Sequence, residues 1–408
     1  MLCGLLGRSI GYSYSPQIHN RLSDYDYQLF QVEPEALGDF FRDVPFTGIN
    51  VTIPYKKDVI AFCDSLSEQA AKLGAVNTII RQKDGKLFGH NTDYFGFQSM
   101  LNHSGLVVAN KKVLVLGSGG ASATVVAVLK TAGAIPIVIS RSGENNYQNI
   151  AQHYDAAVIV NATPVGTFPN VECVPVNLAQ FAHLEGVLDL IYNPARTQLL
   201  LQAEKLGLVT ENGLWMLVAQ AKEAAEWFSG KSINDSVIPK IYNALQVQMQ
   251  NIILIGMPGS GKSTIGNMLA ARLGRKFIDA DAVVAEHAKM SIPEIFRDNG
   301  EEVFRQYETA VLADLGKQSG LIIATGGGCV TREANYDHLH RNGRIFWLQR
   351  EIGKLPTDGR PLSQANTLTE MYAKRKPMYT RFADEVIDND QTLEITIGEI
   401  LAHLEVSK

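Results

Sequence analysis

The sequence predicts an α/β protein with mostly parallel sheets, organised in two halves. Three observations point there. Short apolar runs alternate with amphipathic stretches through all 408 residues. Two glycine-rich loops, at 117–121 and 256–263, each follow an apolar run and open a helical stretch. No internal repeat or low-complexity tract interrupts the alternation, and the length suits two or three domains better than one core.

In chain order, the first set of apolar runs reads as strands at Val113–Leu116, Ile135–Ser140, Val158–Val160 and Gly186–Leu190. A second set follows at Ile252–Ile255, Lys276–Ile278, Leu321–Ala324 and Arg344–Leu348. A helical stretch over Ile233–Leu245 runs out in the glutamines of 246–250, which sets the main boundary just before Asn251. A weaker boundary falls at 107–110. The uncharged stretch from Val113 to Leu129 is short for a membrane span, rich in Gly and Ser, and reads as strand, turn and helix.

Composition excludes several classes. A net charge of −5 gives no global pull toward nucleic acid or an anionic membrane, so anionic ligands need local basic groups. The cysteines Cys3, Cys63, Cys173 and Cys329 form no C-x-x-C pair, which argues against a disulfide framework or thiolate zinc site and fits a reducing cytoplasm. The opening MLCGLLGRSIGYSYSP lacks the charged start and long apolar core of a secretory leader. His338-x-His340 has no evident third ligand for a metal-dependent hydrolase.

In the second half, Gly256-Met257-Pro258-Gly259-Ser260-Gly261-Lys262-Ser263 matches G-x-x-x-x-G-K-[ST] and precedes a helix over Thr264–Leu273. Such a loop turns backbone N–H groups around phosphate oxygens, with Lys262 reaching the outer phosphates and Ser263 available to Mg²⁺. Asp279-Ala280-Asp281 ends the next strand, at the sheet edge where ligands collect. One carboxylate could order Mg²⁺ through water and the other accept a hydroxyl proton; a D-x-D is otherwise an ordinary cap or surface pair. Gly326-Gly327-Gly328 follows a third strand, and Arg305, Arg360 and Arg375 offer forks for carboxylate or phosphate.

Together GMPGSGKST, FIDAD, IFRDNGEEVFR, ATGGG, GRPL and KRKPMY resemble shikimate kinase from Asn251 to Lys408. The resemblance implies a P-loop kinase domain that uses ATP and Mg²⁺ on shikimate. It implies phosphate and nucleotide contacts from Gly259, Ser260, Gly261, Lys262, Ser263 and Thr264, and from the lid residue Arg360. Asp281 would face the acceptor hydroxyls as the catalytic carboxylate, Arg305, Gly327 and Arg375 would hold the substrate, and Ser263 with Asp279 would serve the metal. The lid segment around 353–364 is short, and no arginine stands out to stack on adenine.

In the first half, Gly117-Ser118-Gly119-Gly120-Ala121 is a variant of the dinucleotide fingerprint. The next strand ends in Ser140-Arg141 where an acidic residue would favour NAD, so Arg141 favours the 2′-phosphate of NADP; a surface arginine is the alternative. Ahead of this lie Ser13-Tyr14-Ser15-Pro16, Asn50-Val51-Thr52-Ile53-Pro54-Tyr55-Lys56, Gly74–Thr78 and Asn91-Thr92-Asp93. Each can be turn chemistry; together they suggest a site for a polyhydroxylated acid.

With NATPVG at 161–166, DLIYNP at 189–194 and NGLWMLVAQ at 212–220, these clusters resemble shikimate dehydrogenase over Leu2 to Gln246. The resemblance implies a substrate domain at 1–108, completed by helices at 213–246, and a Rossmann NADP(H)-binding domain at 109–212, ahead of the kinase at 251–408. It implies substrate contacts from Ser13, Ser15, Thr52, Asn77, Asp93, Tyr192 and Gln220, and catalysis by Lys56 with Asp93. Glu68, Thr163, Leu190 and Gly213 would lie near the cofactor with the glycine loop, Ser140 and Arg141. The expected substrates are small molecules, 3-dehydroshikimate and shikimate, handled consecutively. Two rivals are a quinate-type hydroaromatic dehydrogenase on the same fold and a metabolite-binding regulator; the latter predicts lost catalytic groups, yet Lys56, Asp93, Lys262, Ser263 and Asp281 are all present.

Overall fold

Sixteen strands carry the architecture of the computed structural model, which describes residues 1–11, 13–355 and 368–406. The chain divides into two compact units. One comprises Met1–Gly166, Glu172–Tyr192 and Gln202–Tyr242, and the other Thr167–Val171, Asn193–Leu201 and Asn243–Lys408.

The first unit holds two sheets. The strands β1 (Leu2–Gly7), β2 (Asp26–Gln31), β3 (Gly48–Val51), β4 (Ser65–Leu66), β5 (Thr78–Arg81) and β6 (Leu87–His90) form a mixed sheet in the order β2-β1-β3-β5-β6-β4. Here β5 runs antiparallel to both β3 and β6, a departure from the parallel expectation. The reason is local: β5 and β6 are joined by only five residues, long enough for a hairpin and too short for a parallel crossover. The second sheet contains β7 (Lys112–Leu116), β8 (Ile135–Ile139), β9 (Val158–Asn161), β10 (Gly186–Asp189) and β11 (Val209–Glu211), all parallel, in the order β11-β10-β9-β7-β8. Val113, Leu114, Val115 and Leu116 are fully buried, as a strand covered on both faces requires.

In the second unit β12 (Asn251–Ile255), β13 (Phe277–Asp279), β14 (Ile322–Ala324), β15 (Gly343–Gln349) and β16 (Glu385–Asp388) form a parallel sheet ordered β13-β14-β12-β15-β16. The first residue of β12 acts as a clamp. Asn251 is fully buried; its Nδ2 donates to the Gln318 carbonyl at 2.7 Å and its Oδ1 accepts from the Leu321 N–H at 2.8 Å.

Several boundaries differ from the sequence expectation. The helix before β12 spans Val237–Met249, not Ile233–Leu245. A turn at Asn234–Ser236 delays its start, Pro239 sits in its first turn where proline is tolerated, and buried Leu245 and Met249 carry it past the glutamines. The phosphate-loop helix begins at Lys262, and β13 is shifted by one residue, so Asp279 ends the strand while Asp281 lies in the following helix. The edge strands β11 and β16 were not anticipated; their half-exposed, polar residues lack the apolar signal of the central strands. Among the described residues no helix is long and apolar enough to cross a membrane.

Replacing Asn251 by Ala strands two buried backbone groups, and we expect a loss of roughly 2–4 kcal/mol. A guanidinium unfolding curve reports it as a lower midpoint for the transition of the second unit.

Candidate functional sites

The first unit carries a cavity of about 270 Å³ lined by Ser13, Ser15, Asn50, Thr52, Lys56, Asn77, Asp93, Tyr192 and Gln220 on its polar walls. The turn after β3 supplies Thr52 and Lys56, whose backbone is pinned by bonds from Thr52 N–H to Leu6 O and from Val76 N–H to Lys56 O. Asp93 opens the helix Asp93–Ser104, where a carboxylate meets the positive end of the helix dipole. Lys56 Nζ donates to Asp93 Oδ2 at 2.6 Å, with both side chains largely buried. Ser13 Oγ donates to Ser15 Oγ at 3.0 Å and accepts from the Ser15 N–H. Burial, then the neighbouring Tyr14, raises the Tyr192 phenol above its ordinary value.

Ala121, Leu190 and Gly213 line the same cavity from the side of the dinucleotide-type sheet. Gly213 is required by close approach, since a Cβ there would lie 2.1 Å from the Leu190 carbonyl oxygen. Gly117, after β7, packs against Thr163 after β9. Asn161 Oδ1 accepts from the Thr163 N–H and hydroxyl while its Nδ2 donates to Asp189 at 3.0 Å, tying the ends of β9 and β10 together. Ser118, Gly119 and Gly120 form the turn into the helix Gly120–Thr131, and Ser140 and Arg141 follow β8, with Arg141 exposed. Glu68 is exposed and pairs with Lys72 at 2.5 Å; it does not line the cavity. Asn50, although part of a conspicuous cluster, is an addition to the sequence-derived set. Its signal is a fully polar side chain on the otherwise apolar strand β3.

In the second unit a cavity of about 640 Å³ brings together Gly259, Gly261, Lys262, Ser263, Thr264, Asp279, Asp281, Arg305, Gly327 and Arg375. Ser260 is buried within the loop. Lys262 Nζ donates to the carbonyls of Gly256 and Met257, each at 3.0 Å. Ser263 Oγ donates to Asp279 Oδ2 at 2.8 Å, and Asp279 Oδ1 caps the next helix by accepting from the Asp281 N–H. This hydroxyl and carboxylate are hard oxygen donors at the phosphate loop and fit Mg²⁺.

Burial raises the Asp281 carboxyl above the ordinary carboxylate range, and the Asp279 charge adds to this; Lys262 and Arg305 oppose it. Arg305 is held between two carboxylates, with Nη1 donating to buried Glu308 at 2.8 Å and Nη2 to Glu301 at 3.0 Å. Arg375 Nη1 and the Tyr379 hydroxyl both donate to the Gly327 carbonyl. Glu308 lines the cavity and was missed, although its position three residues after Arg305 on one helix face was visible. Arg350, at the end of β15, was missed as well; it lines both this cavity and a neighbouring one of about 510 Å³. Arg360 lies outside the described residues.

Fold and geometry thus define the class: one unit of dinucleotide-binding type with a lysine–carboxylate pair, and one phosphate-loop unit whose cavity is lined by Arg305, Arg350 and Arg375. Comparison with known proteins sharpens it. Residues 5–79 match the family model described as the shikimate dehydrogenase substrate binding domain, and residues 258–405 match the shikimate kinase model. A shikimate dehydrogenase (NADP(+)) of Clostridium beijerinckii is 34% identical over 264 residues, which is 60% of this chain and 97% of the relative. The crystal structure of a chorismate mutase/shikimate 5-dehydrogenase fusion from Clostridium acetobutylicum is 35% identical with a TM-score of 0.57, covering 60% and 97% of the two chains. Shikimate 5-dehydrogenase from Thermus thermophilus, in complex with NADP(H) and shikimate, is 29% identical with a TM-score of 0.55, covering 60% and 99%. The chain belongs to the shikimate dehydrogenase family and carries a shikimate kinase domain after it.

A Cβ on Gly328 would lie 2.1 Å from Arg305 Nη2 and 2.4 Å from Cζ. Gly328→Ala therefore displaces the guanidinium, and the KM for shikimate in ADP formation should rise about ten- to a hundredfold, the loss of a charged hydrogen-bonding group, with a lower melting midpoint for the second unit because buried Glu308 loses its partner.

Proposed function

We propose that this chain reduces 3-dehydroshikimate to shikimate with NADPH in its first unit and phosphorylates the 3-hydroxyl of shikimate with ATP in its second. The observation that carries the reading is chemical agreement between the two cavities. One pairs a lysine with a carboxylate among hydroxyls and amides, and the other sets two arginines and a buried aspartate beside a phosphate loop.

In the first site NADPH, when bound, supplies the hydride. The chain's part is to orient the ring and handle the proton. Lys56, held against Asp93 at 2.6 Å, is placed to give a proton to the carbonyl oxygen and to take it back in reverse. Ser13, Ser15, Thr52, Asn77, Tyr192 and Gln220 bind the acid and its hydroxyls, and Gly213 and Leu190 shape the cofactor's wall. Gly117–Ala121, Thr163, Ser140 and Arg141 serve the dinucleotide, with Glu68 at its margin.

In the second site Asp281 accepts the acceptor hydroxyl's proton, Arg305 and Arg375 hold the carboxylate, and Gly327 completes the wall. Lys262, the loop amides and Arg360 hold the phosphates. Mg²⁺, held by Ser263 and Asp279, would neutralise phosphate charge. The nucleoside fits the 510 Å³ cavity at the carboxyl ends of β15 and β16, lined by Arg350, Tyr372, Asp388 and Asp390. The domain limits that go with this reading are 1–108 with 213–246 for substrate, 109–212 for NADP(H) and 251–408 for the kinase. Four free thiols are consistent with a cytoplasmic enzyme.

Lys56→Ala should abolish NADPH oxidation with 3-dehydroshikimate and leave ADP formation from added shikimate intact. Asp281→Asn should do the reverse. Loss of both activities in either variant would refute the separation of roles.

The raised Asp281 pKa has a sign that can be tested. The carboxyl accepts a proton only when ionised, so kinase kcat/KM should fall on acidification with an apparent pKa above the ordinary carboxylate value, near 4. A limb at or below that value would contradict the buried position of Asp281.

A further inference from the structure

Asn77 and Gln220 both face the cavity of the first unit, and an amide can present a ligand with either its oxygen or its nitrogen. Hydrogen-bond saturation decides which. The Thr92 backbone N–H, which can only donate, lies 2.8 Å from Asn77 Oδ1, and the Thr78 hydroxyl donates to the same oxygen at 3.0 Å. Those two donors fill its lone pairs. Asn77 Nδ2 then gives one hydrogen to Thr92 Oγ1 at 3.1 Å and has one left for the cavity.

Asn77 Oδ1 also lies 3.3 Å from Thr92 Oγ1 but is already filled by its two donors, which leaves the Thr92 proton two acceptors. Thr78 Oγ1, at 3.2 Å, already takes a hydrogen from Asn50 Nδ2, whereas Gln220 Oε1, at 3.3 Å, has no other donor among the described contacts. With its oxygen engaged by Thr92 and one Nε2 hydrogen on the Leu217 carbonyl at 3.0 Å, Gln220 also keeps a single N–H for the cavity.

Thr92 has a second peculiarity. It directly precedes the helix Asp93–Ser104, where a threonine hydroxyl ordinarily caps the first turn, yet its side chain makes no cap bond. The residue is fully buried, so the hydroxyl forgoes a cap in favour of the two amides.

We infer that Thr92 is a positioning residue of the dehydrogenase site: its hydroxyl accepts from Asn77 and donates to Gln220, turning both amides N–H outward so that the site reads the ligand's oxygens as acceptors. The inference rests on the dehydrogenase reading of this cavity. Thr92 itself does not line the cavity, so its effect reaches the ligand through the other two side chains.

The test compares Thr92→Val, which keeps the shape without the hydroxyl, with Thr92→Ser, which keeps the hydroxyl. Turnover is followed by shikimate oxidation with NADP+, and shikimate binding by calorimetry in a chain that also carries Arg305→Ala and Arg375→Ala, so that only the first unit's cavity is read. Thr92→Val should raise both KM and Kd for shikimate about tenfold, the scale of one misdirected hydrogen-bonding pair, with KM for NADP+ unchanged. Thr92→Ser should behave as the wild type. In an Asn77→Ala/Gln220→Ala background, Thr92→Val should add nothing further, because its route to the ligand is gone.

Unchanged shikimate affinity in Thr92→Val, equal damage in Thr92→Ser, or a full additive effect in the double-variant background would each overturn the assignment. Should Thr92→Val fail to fold, Thr92→Ala removes the same hydroxyl and is read the same way. A chain that binds shikimate in that Arg305→Ala/Arg375→Ala background without oxidising it would refute the dehydrogenase activity, while the binding series would still decide the role of Thr92.

Discussion

One interior strand of each parallel sheet, β7 in one unit and β12 in the other, has its two neighbours reached by connections that leave in opposite directions, and both nucleotide sites depend on the gap this opens at its carboxyl end. The strand is buried on both faces, so its end cannot drift, and a glycine turn delivers backbone N–H groups and a helix N-terminus into the gap. Residues that come from distant parts of the chain then reach one place because neighbouring strands end at the same level. Thr163 meets Gly117 for this reason, and Asp279 meets Ser263.

Around those gaps the charged groups are held in advance. Lys56 has Asp93, Arg305 has Glu301 and Glu308, and Lys262 has two loop carbonyls. A charge buried without a partner would be costly, so each carries a protein partner and is oriented by it. Glycine does comparable work where space is the limit. Gly213 admits the Leu190 carbonyl and Gly328 admits the Arg305 guanidinium, contacts that any side chain would obstruct.

Much of the fold was legible because parallel strands buried on both faces are continuous apolar runs; six of the eight strands visible in the sequence are of this kind, and the edge strands β8 and β13 were visible because they kept an apolar run. The edge strands β11 and β16 were not, since one exposed side lets polar residues in, and the antiparallel β5 depends on pairing partners that local pattern does not reveal. Helix limits moved for equally physical reasons: Leu245 and Met249 have a core to bury into, which keeps the helix going through glutamines that look like a linker. In the sites, Lys56, Asp93, Lys262 and Asp281 stood in spacings that advertise chemistry. Glu308 and Arg350 did not, because a single charged residue on a helix or at a strand end is common and gains meaning only from what surrounds it.

The sequence by itself determined the α/β class, the two glycine loops and the families they belong to, because each depends on residue type and short-range spacing. Tertiary structure alone decided that Lys56 meets Asp93 and Ser263 meets Asp279, that a threonine at a helix start serves two amides instead of capping, and that Arg350 borders two cavities. These depend on distances between residues far apart in the chain, and only the packing of strands and helices sets such distances.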